Sequence, residues 1–82
     1  MDIFEILVKL KSSDLSLFVV PFEIKDSNVA RVGYLLVNDD VSLGSIFIAE
    51  DLTWVSKDRL PWDNDDLQEI GQEIEHHYFS TV

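Results

Sequence analysis

The sequence predicts an α+β fold of two layers, in which a four-stranded antiparallel β-meander packs against one C-terminal α-helix in the order β-β-β-β-α. Three observations lead to this prediction. Apolar residues alternate with polar ones over short segments, clusters of turn-forming residues separate these segments, and the C-terminal region carries an apolar stripe at helical spacing. At 82 residues the chain has the size of one domain, and we expect residues 1–82 to form a single small acidic α+β domain.

The first predicted strand covers residues 3–11. Its apolar side chains alternate with charged ones and form one face: Phe4, Ile6, Val8 and Leu10. A helix is the alternative for this segment, giving the order α-β-β-β-α, because Asp2 and Glu5 have capping-box spacing. We prefer the strand, since aromatic and β-branched residues favour a pleated surface.

The second and third strands are predicted over residues 15–25 and 29–37. In the second strand Pro21 cannot donate to a ladder, which predicts a sheet edge or a bulge at this position. The third strand is apolar on both faces except at Arg31, which predicts a central position in the sheet. Gly33 within it predicts a bulge or a close approach to the backbone.

The region after the third strand contains a turn, a fourth strand and an irregular segment. The turn lies at residues 38–40, where Asn and Asp tolerate left-handed backbone geometry. The fourth strand is predicted over residues 43–50. Residues 51–61 lack periodicity, apart from a short extended piece predicted at 52–55.

The C-terminal helix has the best-marked start in the chain. Asp63 is the predicted N-cap, and Trp62 and Leu67 have the spacing of a hydrophobic staple across it. The apolar stripe of the helix consists of Leu67, Ile70, Ile74 and Tyr78. Since glycine costs about 1 kcal/mol relative to Ala in a helix interior, we expect the sheet or a second helix to approach closely at Gly71.

One helix covers only one face of a sheet, so the other face is either solvated or used for contacts. We expect one face of the second strand to carry Phe18, Val20, Phe22 and Ile24. The uncovered face is expected to carry Leu17, Val19, Leu35 and Val37. Such a face is too apolar to be left to water, which predicts a dimer or partner surface there.

The formal net charge of −10 is unevenly distributed along the chain. Residues 1–37 hold four basic and five acidic residues, a net of −1, whereas residues 38–82 hold two basic and eleven acidic residues, a net of −9. Such a field repels nucleic-acid phosphates and anionic lipids, and it favours basic proteins. We therefore expect a basic protein partner, no direct contact with nucleic acid and no membrane association.

The sequence contains no cysteine, which excludes disulfides, thiolate nucleophiles and thiolate metal ligands. Without such staples a chain of this size relies on packing or on a partner subunit, and we expect a homo-oligomer, most simply a dimer. The acidic N-terminal positions and the short apolar runs differ from a signal peptide and from a membrane span. A cytoplasmic location is the resulting expectation.

Two histidines are the remaining candidates for site chemistry. His76 and His77 are adjacent, so on a helix they point about 100° apart and are badly placed to share one metal. Glu73 and His76 have the i,i+3 spacing found in di-iron bundles, but such a site needs a second copy of the motif. We predict no catalytic residue, no cofactor and no metal site, with Glu73 and His76 as weak metal candidates.

A recognition surface is the other interpretation of the C-terminal half. Trp54, Arg59 and Trp62 have the composition of an aromatic–arginine hot spot. We prefer the interpretation in which both tryptophans pin the loop and the helix start onto the sheet. The acidic candidates for partner binding lie at the start of the helix and along it: Asp63, Asp65, Asp66, Glu69 and Glu73.

These observations predict a non-enzymatic protein–protein interaction domain that acts through its acidic C-terminal half and through an apolar sheet face. One alternative is an acidic inhibitor or immunity-type protein that occupies the basic site of a nuclease or another nucleic-acid-binding protein. Two further alternatives are a small metal-dependent hydrolase that uses Glu73 with a histidine, and a regulatory domain that binds a small molecule between sheet and helix.

Overall fold

Five strands and one helix make up the part of the chain that the structure, a computed structural model, describes: residues 2–11, 13–26 and 29–79. The elements are β1 (Phe4–Lys9), β2 (Asp14–Asp26), β3 (Val29–Asn38), β4 (Val41–Ile48), β5 (Trp54–Val55) and α1 (Asn64–Phe79). The strands form one antiparallel sheet in the order β1-β2-β3-β4-β5. The α+β prediction is confirmed, the first segment is a strand, and the short extended piece is a fifth strand.

The hairpin between β3 and β4 is a tight two-residue turn. Asp39 and Asp40 have φ angles of 49° and 64°, the left-handed geometry that both central residues of a type I′ turn require. Asn38 pairs directly with Val41, so β4 begins two residues earlier than predicted. The turn prediction is confirmed, because Asp adopts this geometry at lower cost than most residues.

Strand β2 extends beyond the end of β1, and Pro21 lies in the part of β2 that extends. The pairing of β1 with β2 ends at Phe4 and Val19, and Pro21 is paired with Tyr34 of β3. Among the described residues, Pro21 therefore has a neighbouring strand on one side only, which suits a residue without an N–H donor. The edge prediction is confirmed for this half of β2, and β3 is central as predicted.

The core lies between α1 and one face of the sheet. It is built from Ile6, Val8, Leu17, Val19, Leu36, Ile46, Trp54, Ile70 and Ile74. The backbone of α1 comes nearest to β1 and β5, the two outer strands, so the helix reaches across the sheet. Burial of an aliphatic side chain of this size stabilises a fold by about 1.5–3 kcal/mol.

The assignment of faces in β2 was wrong. Leu17 and Val19 are fully buried under α1, whereas Phe18 and its alternate neighbours Val20, Phe22 and Ile24 turn to the opposite face. The register explains the reversal, because Leu17 pairs with Ile6 of β1 and Val19 pairs with Leu36 of β3, both of which lie in the core. Leu35 and Val37 do lie on the uncovered face, opposite Val20 and Phe18.

The start of α1 has the predicted cap. The backbone N–H of Asp66 donates to Oδ1 of Asp63 at 2.9 Å, and the N–H of Leu67 donates to the carbonyl of Asp63 at 3.0 Å. Trp62 and Leu67 both pack against the core, as expected for a hydrophobic staple. The Asp63 side chain thus satisfies one of the free donors at the helix start.

Gly71 is the point at which α1 meets the sheet. A Cβ atom built at this glycine would lie 2.3 Å from Cδ1 and from Cγ of Trp54, far inside the contact distance of two carbon atoms. Both residues are buried. The close approach predicted for Gly71 is confirmed, with the indole of β5 as the partner.

Replacing Gly71 with Ala tests this contact. Helix propensity alone favours alanine by about 1 kcal/mol, but the clash with Trp54 requires repacking of the core. We expect Gly71→Ala to destabilise the protein by about 1–3 kcal/mol, measured by urea unfolding at a fixed protein concentration. Gln72→Ala, at the adjacent exposed position, is the control and should leave stability nearly unchanged. A Gly71→Ala variant at least as stable as the native chain contradicts the contact.

Candidate functional site

The face of the sheet opposite α1 carries an unusual number of apolar side chains, and we call it the open face. By strand alternation and register it comprises Leu7, Phe18, Val20, Phe22, Ile24, Leu35, Val37, Phe47 and Val55. Leu7 and Phe18 are its most accessible members, with 73% and 49% of their surface exposed. The face therefore presents large apolar groups to the surroundings.

The composition of β2 and β3 is the cause of this exposure. An antiparallel sheet with one solvated face normally alternates apolar and polar residues. In β2 the consecutive residues Leu17 to Val20 are all apolar, so burial of Leu17 and Val19 leaves Phe18 and Val20 on the other side. Contiguous apolar surface of this kind marks interaction sites on proteins.

The open face is less acidic than the chain as a whole. Charged side chains of both signs lie around its apolar surface: Glu5, Lys9, Asp14, Arg31, Glu50, Lys57 and Asp58. Because the whole chain has a net charge of −10, most of the surplus of carboxylates lies away from this face. A second negatively charged molecule therefore meets less repulsion at the open face than at the acidic start of α1.

One end of the open face contains a concave site, which we call the Phe22–Phe47 pocket. It has a volume of about 310 Å³ and is lined by Phe22, Ile24, Arg31, Ser45, Phe47, Lys57 and Asp58. Gly33 pairs with Phe22, and a Cβ atom at Gly33 would lie 2.6 Å from Cζ of Phe22 and 2.7 Å from Cδ1 of Ile24. The missing side chain lets both apolar groups lie over the strand, which is the close approach predicted for Gly33.

The segment after β5 is hydrogen-bonded to Ser45 of β4, which lines this pocket. Ser56 Oγ donates to the carbonyl of Ser45 at 2.6 Å, and the Asp58 carboxylate accepts from the backbone N–H and the hydroxyl of Ser45 at 2.8 and 3.2 Å. These bonds hold the chain on both sides of Lys57. Its Nζ lies 5.9 Å from the ring centroid of Phe47, within the range of a cation–π contact.

Trp54, one of the predicted partner-binding residues, is part of the core. Only 3% of it is exposed, and its backbone N–H and carbonyl both bond to the side-chain amide of Gln68, at 3.0 and 2.8 Å. Its indole N–H donates to Glu75 at 3.2 Å. This burial and these bonds favour a structural role for Trp54.

The proposed aromatic–arginine set is not assembled as one cluster. Trp62 is half-buried against the core and shares a shallow groove with Trp54. Arg59 is exposed and does not line that groove. The burial of both tryptophans supports the interpretation in which they pin the loop and the helix start onto the sheet.

The acidic start of α1 is partly neutralised by a lysine from the other end of the chain. Lys11 Nζ lies 3.2 Å from Oδ2 of Asp65 and 3.2 Å from Oδ2 of Asp63. The hydrogen bonds that the Lys11 ammonium donates to Asp65 and then to Asp63 raise its pKa. Asp66 and Glu69 line the same open cleft beside Lys9 and Lys11. Sequence reasoning missed this contact because local spacing carries no information about residues so far apart.

The two weak metal candidates, Glu73 and His76, lie close to each other on α1. Glu73 Oε1 lies 3.6 Å from Nδ1 of His76, one turn away on α1. Within the described ranges, no three His, Cys, Asp or Glu side chains are placed to hold a metal ion together. The pair therefore gives no specific support to a metal site.

Comparison of the chain with protein-family models, with curated proteins and with solved structures finds no match. Among the described residues, no helix has both the length and the apolar character that crossing a membrane requires. The candidate site is thus defined by the geometry of this chain.

The cap of α1 makes the stability of the protein sensitive to acid. The N–H of Asp66, and then Lys11, lower the pKa of the Asp63 carboxyl below its ordinary value of 3.8. A lowered pKa in the folded state stabilises the fold above the unfolded pKa, and this contribution is lost as the pH falls through the folded value. The loss should therefore begin below about pH 5 and continue below the ordinary pKa of an aspartate.

Variants of Asp63 test this dependence. We expect Asp63→Ala to be less stable than the native chain at pH 7, with the difference shrinking toward pH 3, as followed by thermal unfolding in circular dichroism. Asp63→Asn keeps an oxygen acceptor for the N–H of Asp66 and loses only the charge near Lys11. Its stability should therefore lie between that of the native chain and that of Asp63→Ala. A deficit of the alanine variant that stays constant down to pH 3 is the contrary result.

Proposed function

We propose that this protein is a non-enzymatic interaction domain that self-associates through its open face. The observation that supports the proposal is the exposure of Leu7 and Phe18 beside a continuous set of apolar strand residues. Two such sheets pack about 10 Å apart with their inner side chains interdigitated. The occupant of the face is then a second copy of this chain in a two-fold symmetric dimer.

Charge favours the open face as the place where two copies meet. Each copy carries a net charge of −10, so association through the acidic surface brings like charges together. The open face carries charges of both signs in nearly equal number, which reduces this repulsion.

The size of the face is adequate for a small interface. Strands β1 to β4 are six to thirteen residues long. With strand spacing of about 4.8 Å and a rise of about 3.3 Å per residue, they cover roughly 600 Å² in projection. Protruding side chains enlarge this area toward the ~800 Å² per partner of a standard interface.

The acidic C-terminal half has weaker support as a partner surface. Several of its carboxylates are engaged within the chain: Asp51 with Thr53, Asp58 with Ser45, Asp63 with Asp66, and Glu75 with Trp54. A basic partner therefore stays a prediction, as do the cytoplasmic location and the inhibitor alternative. The hydrolase and the sheet–helix ligand site likewise gain no specific observation.

Sedimentation equilibrium tests the self-association. We expect the native chain to form a dimer at micromolar concentrations and Phe18→Glu to be monomeric, because the carboxylate would be buried without a partner in the interface. Far-UV circular dichroism should show that the variant keeps its fold.

Leu52→Glu is the matched control for the added charge. Leu52 is 80% exposed in the loop between β4 and β5, off the open face, and its variant should remain dimeric. A native chain that stays monomeric into the millimolar range refutes the proposal. A Phe18→Glu variant that dimerises as well as the native chain also refutes it.

A further inference from the structure

The Phe22–Phe47 pocket has the properties of a ligand site. We propose that it binds a small apolar carboxylate, an aryl or short-chain alkyl carboxylate, with the apolar group between Phe22 and Phe47 and the carboxylate toward Arg31 and Lys57. This inference does not rest on the self-association, since it concerns a cavity within one copy of the chain.

The volume of the pocket limits the size of the ligand. About 310 Å³ lies at the lower end of the range of small-molecule sites. At ~30 Å³ per water molecule it corresponds to about ten waters, or to a ligand of roughly ten non-hydrogen atoms. A phenyl group with a two-carbon acid chain meets this limit.

The walls of the pocket are suited to an apolar group. Phe22 and Ile24 on β2 and Phe47 on β4 face one another across Gly33 of β3, which contributes no side chain. Aromatic groups in such a slot pack edge-to-face or offset against a ligand ring. The apolar part of the ligand replaces water that these side chains hold only weakly.

The charges at the rim favour an anion. Arg31 and Lys57 are two of only six basic residues in a chain of net charge −10, and both line this pocket. The single carboxylate of the lining, Asp58, is occupied by two hydrogen bonds from Ser45. The lining thus has two cations and one carboxylate, and the nearest further carboxylate, Glu50, lies outside it beside Arg31.

Arg31 is available for exchange with a ligand. Its guanidinium lies 3.6 Å from Glu50, whose side chain is 92% exposed, and a contact this exposed contributes little. A guanidinium binds a planar carboxylate through two parallel hydrogen bonds. A monoanion is preferred to a phosphate dianion, because the negative field of the whole chain repels the second charge.

The pocket and the most exposed part of the open face are separable. Phe18 and Phe22, the nearest residue of the pocket lining on β2, are four residues apart, a distance of about 13 Å along an extended strand. A substitution at Phe18 therefore removes the dimer contact without touching the pocket lining. Sedimentation equilibrium tests the self-association, and ligand titration tests the pocket. Failure of one proposal can therefore be distinguished from failure of the other.

Titration followed by ¹⁵N–¹H correlation spectra tests the site in the native chain and in Phe18→Glu. The probe is 3-phenylpropionate, compared with the neutral 3-phenylpropanamide of the same shape and with inorganic phosphate. We expect the carboxylate to shift the amide signals of Gly33, Ser45 and Phe47 with a dissociation constant on the order of 1 mM. The amide should bind at least about fivefold more weakly and phosphate should leave these signals in place.

Charge variants identify the groups that recognise the carboxylate. Arg31→Gln and Lys57→Gln should each weaken carboxylate binding by roughly three- to tenfold while leaving the amide unaffected. Arg59→Gln is the matched control, since it removes the same charge two residues from Lys57 at an exposed side chain outside the pocket lining. Gly33→Ala should weaken both probes, because the new Cβ displaces Phe22 and Ile24.

Three results would overturn the inference. The first is the absence of shifts at the pocket amides at tens of millimolar probe. The second is equal affinity for the carboxylate and the amide, which would leave an apolar site without selection for an anion. The third is an effect of Arg59→Gln as large as that of Lys57→Gln, which would assign the binding to long-range charge.

Discussion

The contact between the indole of Trp54 and the backbone of α1 at Gly71 closes the core. It is possible only because the glycine lacks a Cβ, and it is reinforced by Gln68, which bonds both backbone groups of Trp54, and by Glu75, which accepts from the indole. This contact ties β5 to the helix, and the other outer strand, β1, also packs close to α1. One helix thereby covers the core face of the sheet from one outer strand to the other.

Within the described residues, the open face has no covering element. The helix α1 lies on the other face, yet β2 and β3 are apolar on both faces. In most antiparallel sheets the outer face is polar, so Phe18, Val20 and Leu35 give this sheet an apolar outer face of the kind found at interaction surfaces. The low net charge of this face, within a strongly acidic chain, favours an apolar contact over an electrostatic one.

Many of the carboxylates have local structural uses. Asp63 caps α1, Asp51 bonds to Thr53 in the loop before β5, and Asp58 holds the segment that carries Lys57. These bonds lower the pKa of Asp63 and of Asp51, whose hydroxyl and backbone partners at Thr53 favour the ionised form. High acidity in this chain is thus partly a consequence of how its turns and helix start are built, and it is not by itself a sign of a basic partner.

The sequence alone determined what depends on neighbours along the chain. Strand alternation in β1, the left-handed turn at Asp39 and Asp40, the cap at Asp63 and the close approach at Gly71 are all local signals, and all were predicted. The tertiary structure decided which face of β2 is buried, the burial of Trp54, the pairing of Lys11 with the start of α1, and the pocket between β2 and β4. The reason is register: β2 is apolar on both faces, so its own pattern allows either orientation, and only pairing with Ile6 and Leu36 selects one.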